Sequence, residues 1–243
     1  MQKNTDDNHE FDHYKDIYSD SINLELQKYG GEDQNLYLKI KSSHLSRFIW
    51  KYCSKKKVKV LDFGCGHGLM HKFFKGNLEI TGVDPAAKVI KMAKKINKKN
   101  LYEVFNGKDL PFPSHHFDFT FAVCVFHHIK TQDRLAAIKE MKRVTKPGGA
   151  VLIYEHNPLN PITLKIVNNC PLDKNAKLLK TQETKDLMSS AGLVKIKKEF
   201  IIFFPFKAKF FRLIEASLRN IPLGAQYVLS GIVEEEKGLD LSS

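Results

Sequence analysis

The stretch VLDFGCGHGLM, residues 60–70, sets an apolar run directly against three glycines at alternate positions, Gly64, Gly66 and Gly68. Glycine is needed where the chain turns with positive φ or where something must approach the main chain closely. Two readings fit the stretch alone: a loop against which a nucleotide-like ligand rests, or a tight strand-to-helix turn with no ligand.

The flanking sequence alternates strand and helix patterns. KVKVLDFG and LEITGVD read as strands, with the short helix LMHKFFKG between them. PAAKVIKMAKKINKKN reads as a helix that starts on Pro85 and places Val89, Ile90, Ala93 and Ile96 on one face. LYEVFN and FDFTFAVCV follow as strands, then the helix TQDRLAAIKEMKRVT, a KPGG turn and the strand AVLIYEH. QETKDLMSSAG is a helix, and VKIKKEFIIFF and AQYVLSGIVEE are late strands flanking the amphipathic KAKFFRLIEASLRN. Repeated βα units of this length predict an α/β fold: a doubly wound, mostly parallel seven-stranded sheet with helices on both faces, Rossmann-like, closed by an antiparallel C-terminal edge. Residues 1–50 are expected to form a helical lid or cap that includes DIYSDSINLELQKYGG. Residues 51–243 would form the core, with substrate-side insertions near 156–180, read as a loop, and 204–224.

Bulk properties narrow the function classes. The chain has 243 residues and 42% hydrophobic content, enough for one sizeable core. No apolar run reaches the roughly 18 residues of a membrane span. The polar start MQKNTDDNHEFD carries no visible secretory signal, and Cys53, Cys65, Cys124 and Cys170 lack metal-ligand spacing, so reduced thiols and a cytoplasmic location are expected. The net charge of +12 invites a nucleic-acid reading, but it comes almost wholly from lysine, with only five arginines. Arginine is the residue expected where phosphates or bases are read in bidentate fashion, so the charge speaks against a nucleic-acid substrate.

Asp84 stands twenty residues after Gly64, at the end of the second strand, where a carboxylate can accept both hydroxyls of a ribose. The turn lacks the last glycine of a dinucleotide fingerprint, because Leu69 stands in its place, and Asp62 would repel a pyrophosphate. S-adenosylmethionine (SAM) bears an ammonium, a carboxylate and a sulfonium but no phosphate, and suits this residue set better.

With VLDFGCGHG, ITGVDPAAKVI, LPFPSHHFDFTFAVCVFHHI, VTKPGGAVLIYEHN and AGL in this order, the chain from about Phe11 to Glu234 resembles the class I SAM-dependent methyltransferases, in particular small-molecule methyltransferases of the type 11/12 kind. The resemblance implies SAM as cofactor, S-adenosylhomocysteine (SAH) as product and no metal. It implies that Asp62, Gly64, Cys65 and Gly66 wrap the methionine half, that Asp84 holds the ribose, and that Pro85 or Ala86 lies near the adenine. The adenine acceptor, often an aspartate in the family, falls on Asn106 beside Gly107, with Asp109 as rival. Val125 and Phe126 would flank the transferred methyl, and FDHYKDIY, with Tyr14 and Tyr18, would close over it.

Transfer to oxygen or carbon also needs a base, for which histidine is suited near neutral pH. His127 and His156 are the candidates, whereas His128 is expected to pack or cap beneath the next helix. His67, His71, His115 and His116 have no assignable partner, and Glu155 with Asp133 do not make a convincing carboxylate set for a metal. The acceptor is expected to be a small molecule, apolar or lipid-linked, methylated on oxygen, nitrogen or carbon by a monomer or homodimer. The alternation of Phe204, Phe206, Phe210, Phe211, Ile214 and Leu218 with Lys207, Lys209, Arg212 and Arg219 fits a helix lining an apolar pocket, or a peripheral membrane contact. Alternatives are a methyltransferase for RNA or protein, a non-catalytic SAM-binding partner subunit and, weakest, an NAD-linked oxidoreductase. CVFHHI stands where amino-base methyltransferases carry an Asn or Asp followed by two prolines and an aromatic, which counts against amino-base methylation.

Overall fold

The computed structural model describes residues 34–204 and 209–235. A first helix, α1 (Gln34–Tyr52), leads into β1 (Val58–Phe63), β2 (Leu78–Asp84), α2 (Ala87–Ile96), β3 (Leu101–Val104), β4 (Phe117–Val123) and α3 (Arg134–Val144). There follow β5 (Thr145–His156), α4 (Pro161–Asn169), α5 (Thr181–Ser190), β6 (Leu193–Ile201), α6 (Lys209–Leu218) and β7 (Gln226–Val233).

The strands form one seven-stranded sheet in the order β3-β2-β1-β4-β5-β7-β6. The first five strands run parallel, and β7 pairs antiparallel with both β5 and β6. The expected antiparallel pair is therefore present, with β6 on the rim and β7 inserted beside β5. The order reverses between β1 and β4, and their carboxyl ends open a crevice there, the usual ligand position in such sheets.

Alternate residues of each strand feed opposite faces, as the pleat requires. Leu61, Phe63, Phe117, Ala122, Val151 and Ile153 pack in a core that takes Ile138 and Met141 from α3 and Met188 from α5. Val58, Val60, Phe119, Phe121, Leu152 and Tyr154 form a second core with Leu45 and Ile49 of α1, all buried. α1 thus runs through the expected boundary at residues 50 and 51 and packs on the sheet.

Several local expectations need correction. LMHKFFKG supplies only a 3-10 turn at His71–Phe73. KPGG is not a free turn but lies within β5, where the register shifts from Phe117 facing Thr145 to Phe119 facing Ala150. Ile96 ends α2 in solvent, 43% exposed, while Val89, Ile90 and Ala93 are buried as expected. The stretch near 156–180 is not a plain loop. Asn160 caps α4 by accepting from the Thr163 amide at 2.9 Å, with Pro161 opening the helix. The expected N-terminal helix, Tyr14 and Tyr18 lie outside the described residues, as do Phe206 and Lys207. None of the described helices is long and apolar enough to cross a membrane.

Candidate functional site

The turn after β1 folds back on β2. The amides of Gly64 and Cys65 both donate to the Val83 carbonyl at 2.9 Å. Asp84 closes the other side: its Oδ2 accepts from the Gly66 amide and its Oδ1 from the Ala86 amide, each at 3.0 Å. The glycines differ in their reasons. At Gly64 (φ +73°) a Cβ would lie 2.6 Å from Val125 Cγ2, so internal packing demands glycine. At Gly66 (φ +52°) a Cβ would meet nothing within 4 Å, so there the bare backbone faces open space.

Beneath the turn runs a buried polar relay. His71 shares one hydrogen bond with Asp62 Oδ2 (Nε2, 2.7 Å) and another with the Tyr102 hydroxyl (Nδ1, 2.6 Å), and its ring stacks on that of Tyr102. Burial, with Asp62 and Asp84 nearby, pushes the Cys65 thiol well above its ordinary pKa, so it is no nucleophile.

Beyond the ends of β4 and β5 sits a second buried cluster. Glu155 is fully buried; its Oε1 accepts from the Val125 amide (3.0 Å) and the Phe126 amide (2.7 Å), and its Oε2 lies 2.5 Å from His127 Nδ1. Asp173, carried by a 3-10 turn at Pro171–Asp173, faces both His127 and His128. Burial opposes a charge on His127, but the Glu155 and Asp173 carboxylates outweigh it and push its pKa up to about 10. The His156 ring lies 5.2 Å from that of His127; burial and the charge of His127 push its pKa down to about 4. Cys124, just before this cluster, adopts φ +56°, an uncommon conformation for a residue other than glycine. Gln226 donates to Cys124 Sγ at 3.3 Å, while its buried Oε1 has no hydrogen-bond partner among the described residues.

A family profile described as "Methyltransferase domain" matches residues 61–153, which span the glycine turn, Asp84, β4 and β5. Over that segment the chain is similar to a methyltransferase domain. Among curated relatives, "Probable tRNA methyltransferase 9B" of Mus musculus is 37% identical over 98 residues, covering 39% of this chain and 21% of the relative. "Ajmaline N-methyltransferase" of Rauvolfia serpentina is 28% identical over 110 residues, covering 42% of this chain and 37% of the relative. The chain thus spans well under half the length of either. The fold resembles a Thermotoga maritima structure titled a SAM-dependent methyltransferase, possible histamine N-methyltransferase: 20% identical, TM-score 0.63, covering 93% of this chain and 99% of that one.

The residues singled out in the sequence divide into groups. Gly64, Cys65, Gly66 and Asp84 meet in the turn between β1 and β2, where Pro85 follows Asp84 in the chain, with Val125 against Gly64 and Phe126 fully buried. Gly107 (φ +79°) has open space where a Cβ would be. Asn106 does not stand ready to accept from an adenine: its Oδ1 already accepts from the Lys108 and Asp109 amides, both at 2.8 Å, and its Nδ2 donates to Asp109. Asp62 is bonded to His71 rather than standing alone. His127 is no neutral base, because it is held as an imidazolium between two carboxylates. His156 stays neutral but is weakly basic, and His128 faces Asp173 rather than capping the next helix.

Sequence reasoning missed Glu155 as the hub, Asp173, the His71 relay and Gln226. A lone carboxylate inside the apolar run AVLIYEH was a usable signal for Glu155. Nothing in the spacing pointed to Asp173, which chain folding alone brings to the histidines.

Proposed function

We propose that this protein transfers the methyl group of SAM to a small-molecule acceptor, releasing SAH. The observation that carries the reading is the pairing of the Gly66 amide with Asp84 at the mouth of β1 and β2, in a segment that matches the methyltransferase profile.

The residues present fit the cofactor. Gly66 and Gly107 leave room where a side chain would intrude, and Asp84, braced by two amides, is the carboxylate that would meet the ribose. Pro85 and Ala86 would lie along the adenine, and the Asp109 carboxylate is better placed by chemistry than Asn106 to accept from its amino group. Asp62, steadied by His71, and the Cys65 segment would receive the methionine half. When bound, SAM supplies a sulfonium-activated methyl that is displaced in line. The chain's own contribution is alignment and exclusion of water, which can supply several kcal/mol, up to about 7–11 in well-oriented systems. Glu155 fixes the Val125 and Phe126 backbone that walls the methyl, and His127 in turn locks Glu155. Gln226 Oε1 offers an acceptor toward the second substrate.

An enclosed polar cluster supports a small acceptor. RNA is the second reading, favoured by the likeness to a tRNA methyltransferase. Methyl-labelled SAM, incubated with the protein and either a metabolite extract or total tRNA, separates the two. Label in the small-molecule fraction is expected; label in tRNA alone would move the assignment to RNA, and label in neither, with SAM unbound, would remove the activity.

A further inference from the structure

Three ligand-type atoms converge on the rim beyond β4. His127 Nε2 lies 3.4 Å and His128 Nε2 lies 3.3 Å from one and the same oxygen, Asp173 Oδ1. All three atoms lie within 4.8 Å of one another. Charge-assisted N–H···O bonds run at about 2.7–2.9 Å. The observed separations are longer and match the edge, about 3.3–3.4 Å, of a tetrahedron built on metal–nitrogen bonds of about 2.0–2.1 Å.

Neighbouring residues seldom aim at one point. Here the chain turns at 125–129, with the His128 amide donating to the Val125 carbonyl at 3.0 Å and the Ile129 amide to Phe126 at 3.2 Å, and the two imidazoles stand 4.1 Å apart. His127 also has the support that metal-bound histidines carry. Its other ring nitrogen is held by Glu155, which is itself anchored by two backbone amides, so the ring cannot swing away. Asp173 is fixed from the opposite side. The Lys177 amide donates to the His127 carbonyl at 2.9 Å, and buried Arg134 donates to the Lys177 carbonyl at 2.7 Å. His128 and Asp173 keep part of their side chains exposed, 24% and 13%, which gives an ion a way in.

We propose that His127, His128 and Asp173 bind a divalent transition-metal ion, which takes the place of the His127 Nε2 proton (released to water) and whose remaining position takes an ionisable oxygen of the methyl acceptor. Two imidazoles and one carboxylate with an open position suit zinc-like and iron-like ions rather than magnesium or calcium. The role of the ion rests on the methyl-transfer reading; the ion itself does not. Coordination lowers the pKa of a bound hydroxyl, which releases its proton to water. The oxygen lone pair then forms the C–O bond as the C–S bond breaks, and sulfur keeps the bonding pair as a neutral thioether. The acceptor class is thereby narrowed to hydroxyl compounds.

The test uses the full chain, freed of metal by dialysis against chelator and titrated with cobalt(II). One equivalent is expected to bind, with the visible absorption of a low-coordinate nitrogen-ligated centre. His128→Ala and Asp173→Asn, both at partly exposed positions, should weaken binding about tenfold or more, whereas His115→Asn, an exposed histidine at the other end of β4, should not change it. No stoichiometric cobalt binding, or binding unaltered in both site variants, overturns the proposal in favour of a metal-free ionic clamp. Calorimetry with SAH on the same samples keeps the two readings apart: cobalt bound without SAH affinity sinks the methyl-transfer reading, and SAH bound without cobalt sinks the metal site.

Discussion

His127 and Glu155, 28 residues apart in sequence, meet at 2.5 Å with both side chains essentially out of solvent. The pair sets the wall of the crevice, because the other Glu155 oxygen holds the Val125 and Phe126 amides. Removing one member of a buried pair strands the other charge and costs about 3–5 kcal/mol. Glu155→Gln should therefore lower the unfolding free energy by that amount, read from the shift in urea midpoint. Loss of under 1 kcal/mol would mean that the pair is not holding the wall.

Gly64 and Gly66 should separate stability from ligand binding. Gly64→Ala drives a Cβ to 2.6 Å from Val125 and should destabilise the fold strongly. Gly66→Ala meets open space and should cost only the left-handed backbone penalty, about 1–2 kcal/mol, while weakening SAH binding at least about tenfold. Thermal melts and calorimetry on both variants check this. Equal SAH affinity in Gly66→Ala and the native chain would take Gly66 out of the cradle.

Asp118 gives a pH dependence. Burial would raise its pKa, but hydrogen bonds from Lys146 (2.8 Å), Lys55 (2.6 Å) and the Lys59 amide (2.9 Å) outweigh it and hold the carboxyl below its ordinary value. A depressed folded pKa stabilises above the unfolded value, near 3.8, and that stability is lost as pH falls through the folded one. Asp118→Asn should thus cost about 1.5–3 kcal/mol at pH 6 and progressively less as pH falls from 4 toward 2, read from denaturant midpoints across that range. A cost independent of pH would contradict the assignment.

His71 links Asp62 to Tyr102. His71→Phe keeps the stacking on Tyr102 but leaves the buried Asp62 carboxylate without its partner. We expect a drop in melting temperature and a weaker grip on the methionine half of SAH, measured by comparing SAH with adenosine. Equal losses for both ligands would place the effect elsewhere.

The fold was legible because β1 and β2 are short apolar runs closed by glycine and aspartate and the later strands are likewise apolar runs between helical patterns, and local pattern suffices for that. The crevice was legible because Gly66 and Asp84 lie at a spacing that the βα unit fixes. The polar cluster was not, because Asp173 reaches His127 through a turn and clamp that leave no periodic trace. The state of His127 depends on Glu155, whose burial only packing reveals. Asn106 misled for a local reason: its side chain is consumed by its own turn.

Isothermal titration of the full chain with SAH, SAM and NADH tests the cofactor assignment. One equivalent of SAH and of SAM should bind, NADH should not, and Asp84→Ala should weaken both sulfur ligands at least about tenfold, the worth of a charged hydrogen bond. Binding of NADH with neither sulfur ligand, or undiminished SAH affinity in Asp84→Ala, would contradict it.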